Sequence, residues 1–203
     1  MSHPIDLHIL RSDDWPPDLF ERAMASTEGQ PVNVHVAPDT GVLGRDRAHG
    51  YRQGIAPYVA FLDADDELIA GGLEALLEAL ESDRSLCGAY GGEERIHPDG
   101  RVEYREDARW NPVAQLTLAS AMHNGCVMRR SAIMAHLREI ESYRGRANRL
   151  LRGLIVQSGA WQAVRTPVYR WHLRDGALHT IPLPAMDRAV TRRLTPILMA
   201  ARR

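Results

Sequence analysis

The sequence predicts an α/β protein of 203 residues, with a mostly parallel central sheet flanked by helices and a smaller C-terminal half. Three observations predict it. Strand-length apolar runs alternate with helical stripes over residues 5–90, the order that builds a parallel sheet with helices on its faces. Residues 58–62 are a continuous apolar run, as in a strand buried on both faces, and they lead directly into Asp63, Asp65 and Asp66. Finally, 44% hydrophobic and 25% charged residues are the proportions of a soluble globular chain, which excludes disordered and fibrous classes.

Residues 5–10 read as the first strand, followed by Ser12, Asp13 and Asp14. Pro16 and Pro17 suit the first turn of a helix whose stripe is Leu19, Phe20, Ala23 and Met24. Val32, Val34 and Val36 alternate with polar residues and predict a second strand, closed by a turn at 38–41. A helix of one or two turns is expected within 44–52, before the apolar strand at 58. Leu73, Leu76, Leu77 and Leu80 mark the clearest helix, over 68–80. A strand follows at 86–90, and Pro98-Asp99-Gly100 centres a β-hairpin over 95–104.

Beyond Trp110 the pattern is less regular. Short apolar runs at 116–121 and 125–128 flank His123 and Asn124. Ser131 suits the cap of a helix to Leu137, and 146–156 reads as a further helix. Residues 161–164 predict a strand, and 166–172 a turn with a strand or loop. The tail 190–203 is basic, and Pro196 is expected to limit any helix in it. It suits a helix packed on the domain, a loose terminus, or a segment lying on a membrane surface.

All 25 basic residues are arginine, and they are unevenly placed. Residues 1–128 hold 10 arginines against 22 acids, and residues 129–203 hold 15 against 4. An acidic half suits a metal site and a basic half a phosphate-bearing partner. Attraction between the halves, or between copies in a homo-oligomer, accounts for the asymmetry equally. Cys87 and Cys126 form no disulfide framework or metal spacing, so reduced thiols in a cytoplasmic protein are expected. No stretch reaches membrane-span length, and residues 1–10 lack a signal-peptide pattern.

Asp63, Asp65 and Asp66 repel one another unless a cation lies among them, and oxygen ligands suit Mg²⁺ or Mn²⁺. The other reading is a solvated acidic turn that caps a helix. Gly-x-Gly-x-x-Gly does not follow the first strand and Gly-Lys-Ser/Thr is absent, which argues against dinucleotide and P-loop folds. Phosphate neutralisation would then fall to metal and arginine.

Residues 44–66, through Arg47, Gly50 and the run Tyr-Val-Ala-Phe-Leu-Asp-Ala-Asp-Asp, resemble glycosyltransferase family 2, enzymes of GT-A fold that use nucleotide sugars. The family pattern there is Ala-Arg-Asn, a gap, and an apolar strand ending in Asp-x-Asp or Asp-Ala-Asp-Asp. Residues 159–179 are also similar, and Pro-Val-Tyr-Arg at 167–170 resembles the strand that closes the acceptor half. The resemblance implies a single GT-A-like domain, with a nucleotide-sugar half at 1–105 and an acceptor half with a basic tail at 106–203. It implies that Asp63 holds the ribose or the metal, that Asp65 is the main metal ligand, and that Asp66 supports it. Arg47 would lie near the nucleotide and His172 near the metal or diphosphate. Asp39 would read uracil, whose ring N–H a carboxylate can accept, so a UDP-sugar is the expected donor. Asp39 as a turn residue, Arg47 in a surface ion pair and His172 as a structural histidine are the alternatives.

The sequence departs from the family at three places. Ala48 replaces the asparagine of the triplet, and Ser12-Asp13-Asp14 stands where Pro-x-Tyr-Asn is favoured. Ala147-Asn148 occupies the place of the Glu-Asp whose aspartate deprotonates the acceptor. Glu141 and His123 are the remaining candidates for that base. Otherwise the register of the resemblance is shifted at 147–148, the transfer is a retaining one, the acceptor is unusual, or the chain is a nucleotide-sugar-binding protein or scaffold without activity. The basic half favours an anionic acceptor, whether saccharide, lipid-linked or a modified base in DNA. A metal-dependent nucleotidyltransferase would need a Gly-rich N-terminal loop that is missing.

Overall fold

The computed structural model describes residues 2–12, 15–106, 110–117, 124–174 and 183–201. Among these, eight strands form one sheet: β1 (Ile5–Arg11), β2 (Val32–Pro38), β3 (Tyr58–Asp63), β4 (Glu67–Leu68), β5 (Leu86–Ile96), β6 (Val102–Arg105), β7 (Cys126–Arg129) and β8 (Ala160–His172). Their order is β2-β1-β3-β7-β5-β8-β4, with β6 paired to β5. β1 lies parallel to β2 and β3, and β5 parallel to β8. β7 runs antiparallel to both β3 and β5, so β5 and β8 keep the direction of the first three strands. Most of the sheet therefore points one way, as expected, with β7 as the reversed central strand.

The helices are α1 (Pro17–Ala25), α2 (Leu43–Tyr51), α3 (Gly72–Ser82), α4 (Pro112–Thr117), α5 (Arg130–Ile133), α6 (Leu137–Ile140), α7 (Ala147–Leu154) and α8 (Pro184–Ala200). The two-residue side-chain period of the strands divides the core in two. Ile5, Leu7 and Ile9 of β1, with Ala60 and Leu62 of β3, pack against Ala23 of α1 and Leu73, Leu76 and Leu80 of α3. Val59 and Phe61, on the opposite face of β3, join Tyr51 of α2, Leu150 and Leu154 of α7 and Leu194 of α8. The result is a three-layer α/β/α arrangement.

Four elements differ from expectation. Ser131 lies inside α5 rather than capping a helix to Leu137, and a 3-10 turn at Met134–His136 separates α5 from α6. The helix foreseen from 68 begins at Gly72, because Glu67 and Leu68 pair with Arg170 and Tyr169 of β8. β8 is one strand through Pro167 rather than a short strand and a turn. Pro167 sits opposite Gly92 where the β5–β8 register shifts, a place where the ladder tolerates a missing N–H. Pro196 lies inside α8, contrary to the expectation that it would limit a helix there. Burial of Val190, Leu194 and Leu198 along one face offsets the hydrogen bond that the proline cannot make. α8 thus packs on the domain. Among the described residues no helix is long and apolar enough to cross a membrane.

Candidate active site at the strand ends

Strand register brings the first parts of the site together. Leu10 pairs with Ala37 on one side and with Asp63 on the other, and Arg11 pairs with Pro38. Asp39, Arg11 and Asp63 consequently end three adjacent parallel strands at one edge, with the outer two about 10 Å apart. This edge, beyond the carboxyl ends of the strands, is where open α/β sheets place their ligands. Asp39 donates its backbone N–H to Arg11 O (2.8 Å), and its Oδ1 accepts from Gly41 N–H (2.9 Å).

Asp63 follows Phe61 by two residues, so its side chain projects to the same face, toward α2. There Arg47 donates from Nη2 to Asp63 Oδ1, and its guanidinium carbon lies 4.2 Å from the Phe61 ring centroid. Arg47 Nη1 also contacts His8 Nε2 at 3.3 Å. Burial, followed by the Arg47 charge, holds the His8 pKa well below its ordinary value, so the ring is neutral and accepts from the arginine. Gly44 and Gly50, one turn either side of Arg47, set this approach. A Cβ on Gly44 would come within 1.9 Å of Ile140 O, and one on Gly50 within 2.5 Å of the His8 ring. Asn124 Nδ2 donates to the second Asp63 oxygen at 3.3 Å.

The turn after β3 is tied down by β8. Tyr169 accepts Asp63 N–H (3.2 Å) and donates to Asp66 Oδ2 (2.8 Å), while His172 N–H donates to Asp66 Oδ1 (2.9 Å). Asp66 is only 2% exposed, and burial, then the charges of Asp65 and Asp63, raises its pKa well above the ordinary value. Asp65 is raised as well, by burial and then by Asp63, against the opposing charge of Arg174. Arg174 donates to Asp65 Oδ2 from Nε (2.9 Å) and Nη2 (2.6 Å). Arg22 Nη2 holds the Asp65 carbonyl at 3.0 Å. Beside the turn lies a cleft of about 280 Å³, lined by Arg11, Ser12, Trp15, Pro17, Phe20, Glu21 and Ala64.

These contacts test the site against a divalent cation. Both oxygens of Asp63 and both of Asp66 accept hydrogen bonds, whereas the two Arg174 bonds share one oxygen of Asp65. Among the described residues no three His, Cys, Asp or Glu side chains are grouped to hold a metal by themselves. Mg²⁺ is commonly held by one or two carboxylates with phosphate oxygens and water completing its shell. The donor set fits a cation of that kind on Asp65, in a turn whose crowded carboxylates favour added positive charge. It does not fit a closed protein cage.

Asp39, Arg47, Asp63, Asp65 and Asp66 all lie at or beside the strand ends. His172 is also near, but its Nε2 is 2.6 Å from Glu67 Oε1 and its backbone serves Asp66. Glu141 pairs with Arg52 at 2.5 Å, on the solvent side of α2. His123 lies outside the described residues. Tyr169, Arg174, Asn124 and Arg22 were not singled out for the site from sequence. The similarity of 159–179 to the family covers both Tyr169 and Arg174, and 167–170 resembles a family strand, but neither residue carried an assigned role.

No family model matches this sequence, and no curated protein matches it. Solved structures do. The chain superposes on S. aureus TarS 1–349 in complex with UDP-GlcNAc with a TM-score of 0.65 and 11% identity, covering 95% of this chain and 66% of that one. The complex of TarS 1–349 with UDP gives a TM-score of 0.63 at 11% identity, over 97% of this chain and 64% of that one. The likeness is one of fold, a GT-A-like sheet flanked by helices. The chain spans slightly under two thirds of the TarS 1–349 chain, and 39% of the longer TarS structure.

Proposed function

We propose that the chain is a metal-dependent glycosyltransferase resembling family 2, which moves a sugar from a UDP-sugar to an anionic acceptor. The observation that carries this reading is the convergence of Asp39, the Arg47–Asp63 pair and Asp65 on one edge of a GT-A-like sheet. Asp39 has one oxygen committed to Gly41 N–H and would accept the uracil ring N–H with the other. Asp63, oriented by Arg47 and Asn124, would receive the ribose hydroxyls. Asp65 would hold Mn²⁺ or Mg²⁺, which supplies charge to stabilise the leaving diphosphate. Residues 1–105 then form the donor half, and the arginine-rich residues 106–203 receive the acceptor, whether a saccharide, a lipid-linked molecule or modified DNA. Cys87 and Cys126 are both buried and form no disulfide, which suits a cytoplasmic setting.

A second reading is favoured by Asn148. It stands on the first turn of α7 where the family carries its base, and an amide cannot take the acceptor proton. The chain would then bind a nucleotide sugar without transferring it. Calorimetric titration with UDP, GDP, TDP and CMP, each with and without Mn²⁺, identifies the donor, and assay of the matching nucleotide sugars then separates the readings. Metal-dependent UDP binding with slow donor turnover supports the transferase, and binding without turnover supports the binding protein. No binding by any nucleotide overturns both.

A further inference from the structure

The end of β8 crosses the aspartate turn as a strap. Arg170 pairs with Glu67 (3.3 Å) and Glu94 (2.9 Å), His172 with Asp66 and Glu67, and Arg174, just past the strand, with Asp65. Most of these contacts fix the strap. The last is different in kind. Arg174 places two nitrogens on a single oxygen of Asp65, the carboxylate best suited to a cation. Its guanidinium carbon lies 4.9 Å from the Trp15 ring centroid, and Trp15 lines the cleft beside Ala64. Its side chain is 36% exposed against 13% for Asp65, so the arginine is the partner free to leave. Arg47, by contrast, is 1% exposed and held between Phe61, His8 and Asp63.

We propose that Arg174 is a donor-binding residue which Asp65 holds in a parked position. In the donor-free protein it neutralises Asp65 and rests against Trp15, which lines the cleft. When Asp65 takes up its cation, the guanidinium is repelled, and the diphosphate arriving with that cation gives it a new anionic partner. The planar fork of arginine suits two phosphate oxygens as well as it suits a carboxylate. Arg22 keeps its bond to the Asp65 carbonyl and its ion pair with Glu67, so the turn holds its shape while Arg174 moves. Asp65 thus exchanges one positive charge for another, and the site avoids an unpaired, largely buried carboxylate before the donor arrives.

This inference rests on the glycosyltransferase reading, and the test separates the two. Calorimetry would follow Mn²⁺ alone and then UDP in the presence of Mn²⁺, with the wild type, Arg174→Gln and Arg174→Lys. Arg174→Gln should bind Mn²⁺ alone about tenfold more tightly, because the competitor is gone, and UDP with Mn²⁺ about tenfold more weakly, because the phosphate partner is gone. Arg174→Lys, with charge but no fork, should fall between on both counts. The opposite signs are what a merely structural arginine would not give. Wild-type UDP binding that Arg174→Gln leaves unchanged, or Mn²⁺ binding that it leaves unchanged or weakens, overturns the parked arginine alone. A wild type that binds no UDP with Mn²⁺ overturns the nucleotide reading and this inference with it.

Discussion

Arg47 and Asp63 form an ion pair in which the cation is buried and the anion is not. The guanidinium is 1% exposed beneath the site, while the Asp63 side chain retains 30% exposure at the strand end. The arginine is fixed from below by the Phe61 ring and the neutral His8. It therefore acts as a rigid support that aims a carboxylate outward, and Gly44 and Gly50 permit the close helix approach that puts it there.

Removing that support should be costly. Arg47→Ala leaves Asp63 facing Asp65 and Asp66 without its counter-charge, and leaves a void over Phe61. Loss of one partner from a largely buried pair costs about 3 kcal/mol. Urea denaturation of the nucleotide-free protein should show a loss of that size. Arg47→Lys should recover only part of it, since one ammonium cannot serve Asp63 and His8 with the geometry of the guanidinium.

Asp66 makes stability depend on pH in a defined direction. Burial and the neighbouring Asp65 and Asp63 charges raise its folded pKa well above the ordinary value of 3.8. The folded state then keeps a proton over a range where the unfolded chain has lost it. The associated stability is complete below the unfolded value and is lost as pH rises through the raised folded value. Asp66→Asn should remove this term while Oδ1 still accepts the His172 N–H. The variant should be more stable than the wild type at pH 7–8, and the gap should close toward pH 4. Denaturant titrations of both proteins across that range, with chelator present, read the difference directly. A gap that widens on acidification would reverse the assignment.

What was legible in the sequence was local. The apolar run at 58–62 announced a buried strand, and alternation at 32–36 announced another, because each signal lies within one element. The carboxylates at the end of β3 were visible for the same reason. What closes the site is not local. Tyr169 reaches Asp66 across 103 residues and Arg174 reaches Asp65 across 109, pairings that exist only once β8 has crossed the sheet. His172 shows the same limit. Its position near the turn was foreseen, but its engagement with Glu67 depends on the β4–β8 pairing that replaced the expected start of α3. Pro167 and Pro196 are cases in which local propensity was overridden, one by a register shift and the other by packing.

Pro196 also provides a stability test remote from the site. It is exposed, so its ring contributes little packing, yet it breaks the hydrogen-bond ladder between Val190–Leu194 and Leu198. Thr195 Oγ1 already turns back to Thr191 O at 2.7 Å. Pro196→Ala restores an N–H donor and removes a ring clash, and should raise stability by about 1–3 kcal/mol. Thermal or urea denaturation would show the rise, and donor binding should be unaffected. A loss of stability would mean that α8 requires a bend at Pro196 to seat Leu194 and Leu198.

Asn148 offers the sharpest test of chemistry. Its side-chain Oδ1 is buried with no hydrogen-bond partner among the described residues, on the first turn of a helix where a carboxylate is favoured by the dipole. Arg146, which caps that helix, and Arg149 already share Asp187, so cationic charge is close by. Asn148→Asp is nearly isosteric and installs a base where the resemblance places one. If acceptor deprotonation limits the reaction, turnover of the UDP-sugar should rise by about 10²-fold, the lower end of what a positioned base contributes. The rate should also gain a limb that climbs with pH as the new carboxylate ionises. Hydrolysis without acceptor reads both effects, with water as the nucleophile. A wild-type rate in the variant would shift the burden to the acceptor. An oxygen that is already anionic, in a phosphate or a carboxylate, needs no base and is attracted by the arginines of this half.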